Sequence, residues 1–199
     1  MTWPLHALVL TTPTVELRGM TEADARALSG VVPEGLEHHP DLPDLGSPAK
    51  VLQAYWRQMG LWTPQDWVLP FAVHLDGEPI GVQALEAKDF AVRRTVGSYS
   101  WLIASARGRG HGKAMRAAVL ELAFSHLGAQ HAMTEAWEDN ASSLGVSRAL
   151  GYQDNGIDLV RRGDRVGRMQ RLLLPAEAWR APFPVEVSGL TACLPLLGS

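Results

Sequence analysis

The sequence predicts an α/β fold in which strands and helices alternate along the chain. Three observations carry this. Trp67, Leu69, Phe71, Val73 and Leu75 share one side of an alternating run that reaches Asp76-Gly77, a strong two-residue turn, after which Pro79 to Glu86 returns as a second strand. The strand-like run Tyr99 to Ile103 leads into a loop with three glycines, and that loop opens a helix from Gly112 to Leu127 that is apolar around most of its girth. Two further alternating runs, Tyr152 to Val160 and Val166 to Leu174, close the chain's regular part.

Each element has a local reason. Val15 to Met20 reads as a short strand, and Thr21 is a natural cap for a helix over Ala23 to Leu28, with Glu22 and Asp24 in its first turn. Ser29 to Gly46 is rich in Pro, Gly, Asp and His and reads as loop, with His38-His39 expected in solvent. Ser47-Pro48 starts a helix that runs from Pro48 to Met59 and stops near Gly60. Within the 67–76 strand, Pro70 lacks a ladder donor, so a sheet edge or a bulge is expected there. Ala87 to Arg94 is a polar connection, and Thr95 to Ile103 is the strand that delivers the glycine loop. Gly128 ends the long helix, Ala132 to Glu138 is a strand, and Asn140 caps a helix reaching Leu150. The last 25 residues hold four prolines and are expected to pack as a tail.

At 199 residues the chain is most simply one domain, 1–199, with a core over about 14–174 and the tail 175–199 packed on it. A net charge of −3 argues against a nucleic-acid partner. One cysteine, Cys193, excludes an internal disulfide and fits the reducing cytoplasm. No apolar run approaches a membrane span, and Leu5 to Leu10 is too short and lacks the basic flank of a signal peptide. The histidines show no metal spacing, so no metal is expected.

The loop Arg107-Gly108-Arg109-Gly110-His111-Gly112-Lys113 carries the functional reading. Strand, glycine loop and helix together aim free backbone N–H groups and the positive end of a helix at an anion, here a pyrophosphate. A Walker A loop fails, because Arg107 stands where its first glycine belongs and Ala114 where Ser or Thr must bind magnesium. A dinucleotide fingerprint is weakened by Lys113 at its third glycine. Arg-x-x-Gly-x-Gly, at Arg107, Gly110 and Gly112, resembles the acyl-coenzyme A loop of the GNAT superfamily of N-acyltransferases.

Further phrases resemble the same family: Glu16-Leu-Arg18 with Thr21-Glu-Ala-Asp24-Ala; Ser100-Trp101-Leu102; and Glu138-Asp139-Asn140 with Ser143, then Ala149-Leu150-Gly151-Tyr152. The branch looks like the RimJ/RimL type. Asp66-Trp67-x-Leu-Pro, Gly81-Val-Gln-Ala-Leu85, Lys88-Asp-Phe90 and Met115-Arg-Ala-Ala-Val-Leu120 resemble actinobacterial members, one of which, from a mycobacterium, is described as a succinyltransferase. The resemblance implies a mixed, mostly antiparallel, splayed sheet with helices on both faces. It implies acyl transfer from a coenzyme A thioester to a primary amine by direct attack in a ternary complex. Acetyl-CoA is the first expectation and succinyl-CoA the second. A non-catalytic coenzyme A sensor and a nucleotide-binding enzyme are the competitors. The acceptor is a small-molecule or protein amine, and members of this branch often pair as homodimers.

By the same resemblance, Arg107, Gly108, Arg109, Gly110, His111, Gly112 and Lys113 hold the phosphates. Leu102 and Ile103 offer backbone to the acyl end, and Asn140 and Ser143 face the cofactor arm. An amine must be neutral to attack, and a carboxylate can take its proton. Many relatives carry a glutamate shortly before the Tyr-Trp phrase; here Gly97-Ser98-Tyr99 holds none. Glu86 is the substitute candidate and Glu135 the reserve, each equally readable as a salt-bridge partner. Ser143 is the candidate acid for the leaving thiolate, or a plain helix cap. Trp56, Trp67 and Tyr99 are candidates for the acceptor side, with core packing the main alternative for the tryptophans.

Overall fold

A computed structural model of the protein describes residues 3–33, 36 and 47–198. Most of the expected 29–46 loop, with His38-His39, lies outside the described residues. Among the described residues nine strands form one sheet: β1 (Val9–Thr11), β2 (Glu16–Gly19), β3 (Asp66–Leu75), β4 (Glu78–Lys88), β5 (Thr95–Leu102), β6 (His131–Trp137), β7 (Gln153–Arg162), β8 (Arg165–Pro175) and β9 (Glu186–Ser188). Their order is β7-β8-β6-β5-β4-β3-β2-β1-β9, and every pairing is antiparallel except β5 with β6.

Among the described residues five α-helices flank it: α1 (Glu22–Ser29), α2 (Ser47–Gly60), α3 (Phe90–Arg93), α4 (His111–Glu121) and α5 (Ala141–Ala149). Thr21 starts α1 with a reciprocal cap. Its hydroxyl accepts from the Asp24 N–H at 3.2 Å, and the Asp24 carboxylate accepts from the Thr21 N–H at 2.9 Å. The β3–β4 turn has positive φ at both Asp76 (52°) and Gly77 (87°), the left-handed pair that matches strand twist.

The sheet buries both faces. On one side Ala72 and Val82 pack against Met20, Ala25 and Leu28 of the α1 segment and Val51 and Tyr55 of α2. On the other, Leu69, Phe71, Leu85 and Val96 meet Met115, Ala118, Val119 and Leu122 of the α4 segment.

Several expectations change. Pro70 lies in β3, which sits between β2 and β4, and the register shift falls at Val73/His74 instead. Pro70 is tolerated because its carbonyl accepts from the Met20 N–H just past the end of β2, so its missing donor falls where the neighbouring strand has stopped. The 87–94 connection contains the end of β4 and all of α3, entered and left through left-handed Asp89 and Arg94. The long helix is α-helical only to Glu121, and a π turn (Leu122–His126) completes it. Of the 5–10 stretch, Leu5 to Ala7 belong to a 3-10 turn and Val9 and Leu10 begin β1.

The tail is more than a cover. Its strand β9 pairs with β1 and extends the sheet. Three tryptophan N–H groups tie it down: Trp62 to the Leu196 carbonyl (2.9 Å), Trp67 to the Leu197 carbonyl (3.2 Å) and Trp179 to the Glu121 carboxylate (2.9 Å). Cys193 and Leu197 are wholly buried in the α4-side core. Much of the chain's high tryptophan content is spent here, because an indole can bury a large apolar surface and still satisfy one donor.

Candidate active site

The sheet opens where its two parallel strands part. β5 and β6 pair only at Thr95↔His131, Val96↔Ala132 and Gly97↔Met133. Beyond that rung β5 continues to Leu102 and β6 to Trp137 without pairing, so a wedge opens toward the glycine loop. The Ile103 N–H is spent on the Ile80 carbonyl (2.9 Å), and the Ser98 carbonyl accepts from the Thr134 hydroxyl (3.2 Å) across the root of the wedge. Strand alternation therefore turns the N–H groups of Ser100 and Leu102 away from β4 and into the gap. Ile103 is corrected accordingly: its backbone donor belongs to β4.

The wide end of the wedge meets the loop. Gly108 and Gly110 adopt φ of 72° and 85°, which only glycine takes without strain, and a Cβ on either would meet nothing within 4 Å. These glycines thus serve a backbone course whose outer side is open. Among the described residues, the N–H groups of Gly108, Arg109, Gly110, His111 and Gly112 have no internal hydrogen-bond partner, whereas those of Lys113 and Ala114 return to the Gly110 carbonyl. Five consecutive donors at the start of α4 form a nest for an anion. Arg107 bends back, its Nε donating to the Leu102 carbonyl at 2.9 Å, which pins the loop to the strand end. Arg109 is exposed and Lys113 half-buried at the loop's rim. His111 is buried, and its Nδ1 is without a partner.

α5 stands beside this loop: a Cβ on Gly112 would lie 3.8 Å from the Val146 side chain. Asn140 caps α5 by accepting from the Ser143 N–H at 3.1 Å. Ser143 is half-buried one turn before Val146.

The two carboxylate candidates flank the root of the wedge. Glu86 is opposite Gly97, and Gly97 is opposite Met133, so all three share one face of the sheet. Two residues on, Tyr99 and Glu135 occupy the same face on either side of the opening. This is the α2 side, because Gln58 donates to the Tyr99 hydroxyl. Although Tyr99 is partly exposed, its phenol is held above the usual value, first by desolvation and then by the nearby Glu86 carboxylate. Glu86, Gly97 and Met133, with Asp66, Val68, Lys88 and Arg93 among others, line an open cavity of 260 Å³. Glu135 is exposed and sits opposite Arg171 of β8.

The tryptophans separate. Trp56 is half exposed on α2, its indole donating to Glu22 at 3.2 Å. Trp67 borders the cavity but is a core residue, 2% exposed and stacked on Trp62. Its ring packs edge-on against Phe90 and its N–H reaches the Leu197 carbonyl of the tail, which is the core-packing alternative.

On the opposite, α4 face of the wedge lies a buried polar group that sequence reasoning passed over: Arg116, with Ser98, Ser100, Thr134, Ser147 and Tyr152 around it. The signal was present, since Arg116 interrupts the apolar run Ala114-Met115-x-Ala117-Ala118-Val119. Among the described residues no three His, Cys, Asp or Glu side chains gather as a metal site.

The model of the acetyltransferase (GNAT) domain family matches residues 14–153. Solved structures share the fold. Mycobacterium smegmatis RimJ, solved with CoA-disulfide, superposes with a TM-score of 0.72 at 20% identity, covering 87% of this chain and 90% of that one. A RimL ribosomal L7/L12 α-N-protein acetyltransferase, solved with coenzyme A, gives 0.68 at 17% identity over 84% and 97%. A spermidine N-acetyltransferase chimera from Vibrio cholerae and a second enzyme gives 0.67 at 13% identity over 82% and 96%. Open wedge, N–H nest and family match agree: the chain belongs to the GNAT family of acetyltransferases.

Proposed function

We propose that the chain, acting as one unit over 1–199, transfers an acyl group from a coenzyme A thioester to a primary amine. The observation that carries this is the wedge after the Gly97↔Met133 rung, with unpaired strand N–H groups inside and five loop N–H groups at its wide end. A diphosphate seats on Gly108 to Gly112, with Arg109 and Lys113 adding charge, and the pantetheine arm runs down the wedge. The N–H groups of Ser100 and Leu102 are placed to donate to the thioester carbonyl as it gathers charge.

The acceptor enters from the α2 face. Glu86, directly or through water, takes the amine proton, and Glu135 is the reserve on the far side of the gap. The nitrogen attacks the carbonyl carbon, the N–C bond forms and the C–S bond breaks. Ser143, beside the loop on α5, passes its hydroxyl proton to the thiolate and regains one from water, and Asn140 holds its helix end. Trp56 and Tyr99 border the acceptor's path. The ribosomal-protein and spermidine substrates named for the structural neighbours make a protein amine or a polyamine the first acceptors to try. Cytoplasmic action is supported by the lone, buried Cys193; among the described residues no helix is long and apolar enough to cross a membrane.

The test is turnover of acyl-CoA with a panel of amines, followed by thiol release. Amine-dependent release is expected. Tight binding of coenzyme A without release under any amine would favour a sensor, and no binding at all would remove the reading.

A further inference from the structure

The cavity at the root of the wedge carries more charge than one proton transfer needs. It encloses 260 Å³ and runs from Gly97 toward the start of β5, away from the glycine loop. The helix α2 covers the sheet further along β3 and β4, at Ala72 and Val82, and leaves this end open. Register fixes what faces the space. Asp66 is opposite Lys88 and Val68 is opposite Glu86, so by strand alternation Asp66, Lys88 and Glu86 share the α2 face. Arg93, at the end of α3, lines the same cavity with Thr95. Asp66, Lys88 and Arg93 are exposed, and among the described residues no ion pair engages any of the three. Once Glu86 is assigned to the amine, two cations and one carboxylate are left over. Asp66 and Lys88 come from the phrases Asp66-Trp67-x-Leu-Pro and Lys88-Asp-Phe90, for which the acyl-transfer steps have no use.

This set fits a particular head group. Residues directly opposite on antiparallel strands have Cβ atoms about 4.5–5.5 Å apart, so Asp66 and Lys88 hold a negative and a positive charge side by side. An α-amino acid carries the complementary pair, an ammonium and a carboxylate on one carbon. Arg93 adds a second charged donor for that carboxylate. Two residues of β4, about 7 Å, separate Lys88 from Glu86. A basic amino acid with its side chain extended covers about that distance between its terminal amine and its α-carboxylate. A simple polyamine would set an ammonium against Lys88 and Arg93, and an acid without an α-amine would leave Asp66 unanswered. Resting on the reading of Glu86 as the base beside the thioester, we propose that the acceptor is a free amino acid whose side chain ends in a primary amine, of the lysine class. Asp66 receives its α-ammonium, and Lys88 with Arg93 its α-carboxylate. The side-chain nitrogen loses a proton to Glu86 and forms the N–C bond as the C–S bond breaks; the head group takes no part in the chemistry.

The test measures kcat/KM of the full chain, at saturating acetyl-CoA, for lysine, 6-aminohexanoate and 1,5-diaminopentane. All three present the same terminal amine. The second lacks the α-ammonium and the third lacks the carboxylate. Lysine is expected to exceed 1,5-diaminopentane about tenfold or more, with 6-aminohexanoate between them and the lysine product acylated on its side chain. The double variant Lys88→Met, Arg93→Met is expected to bring the lysine-to-diamine ratio to about one, and Asp66→Asn to close the gap between lysine and 6-aminohexanoate. A diamine used as well as lysine overturns the proposal, as does a preference for lysine that survives the double variant, or acylation of the α-amine. Turnover of a peptide or another amine with none from these three removes only this inference. Failure to bind acyl-CoA, or to release thiol with any amine, removes the acyltransferase reading with it.

Discussion

The Glu86 side chain lies flat across Gly97 of the neighbouring strand: a Cβ on Gly97 would fall 2.7 Å from Glu86 Oε1 and 2.9 Å from its Cγ. Glycine at 97 is thus a matter of room: a side chain there would collide with the Glu86 carboxylate at the root of the wedge. Gly97→Ala is expected to push Glu86 aside and lower kcat about tenfold or more, with the Kd for coenzyme A within about threefold. Steady-state kinetics beside calorimetry checks it; an unaltered kcat would dissociate Glu86 from the chemistry.

Glu86→Gln keeps the shape and removes the proton acceptor. The expected loss in kcat is about 10²- to 10⁴-fold at neutral pH, with partial recovery as pH rises and more of the amine is neutral. Glu135→Gln in the same assay is the comparison. If it costs more than Glu86→Gln, the proton leaves toward β6 instead of β4.

Gly110 has φ of 85° with open space in front of it, so Gly110→Ala acts through the backbone alone. An L-residue there costs about 1–2 kcal/mol. Relief of that strain would turn the adjoining N–H groups out of the nest, so the Kd for coenzyme A is expected to rise about tenfold. At a fixed, saturating concentration this removes about 1.4 kcal/mol of ligand-induced stabilisation, readable as a smaller thermal shift.

Cys193 reports on the tail. Burial raises its thiol above the ordinary value of 9.0. The folded state therefore keeps a proton that the unfolded chain gives up, so this contribution to stability is constant below about pH 9 and declines as pH rises from there through the folded value. Denaturant titrations at pH 8 and 10 are expected to show lower stability at pH 10, with a smaller drop in Cys193→Ala. Equal drops in both would place the alkaline sensitivity with Tyr55, Tyr99 and Tyr152, whose phenols are raised as well.

Trp179→Phe tests the tail's attachment. It removes the N–H that reaches the Glu121 carboxylate but keeps most of the ring packed near Phe124. The expected cost is about 1.5–3 kcal/mol, since hydrogen bonds to charged groups lie in that range. A loss well below 1 kcal/mol would mean that the ring alone holds the segment.

What could be read along the chain was local. The alternation from Trp67 to Leu75, the Asp76-Gly77 turn, the Thr21 cap and the Asn140 cap each depend on residues within a few positions, and each appears in the structure. The left-handed glycines at 108 and 110 were legible for the same reason, because the backbone angle is a property of the residue itself. Pro70 was misplaced because its tolerance depends on where another strand, 50 residues away, happens to stop. Which of the two readings of Trp67 applied, core or acceptor side, was not legible because its partners Phe90 and Leu197 are 23 and 130 residues away.

By itself, then, the sequence determined the order of the longer strands and helices, the glycine loop between strand and helix, and the family, all of which rest on short-range periodicity and spacing. Only the tertiary structure decided that β9 completes the sheet, that Gly97 makes space for Glu86, and that Arg116 is buried among hydroxyls on the α4 face. Those three are relations between strands and helices far apart in the chain. They exist only once nine strands have taken their places and the parallel pair has been forced to part.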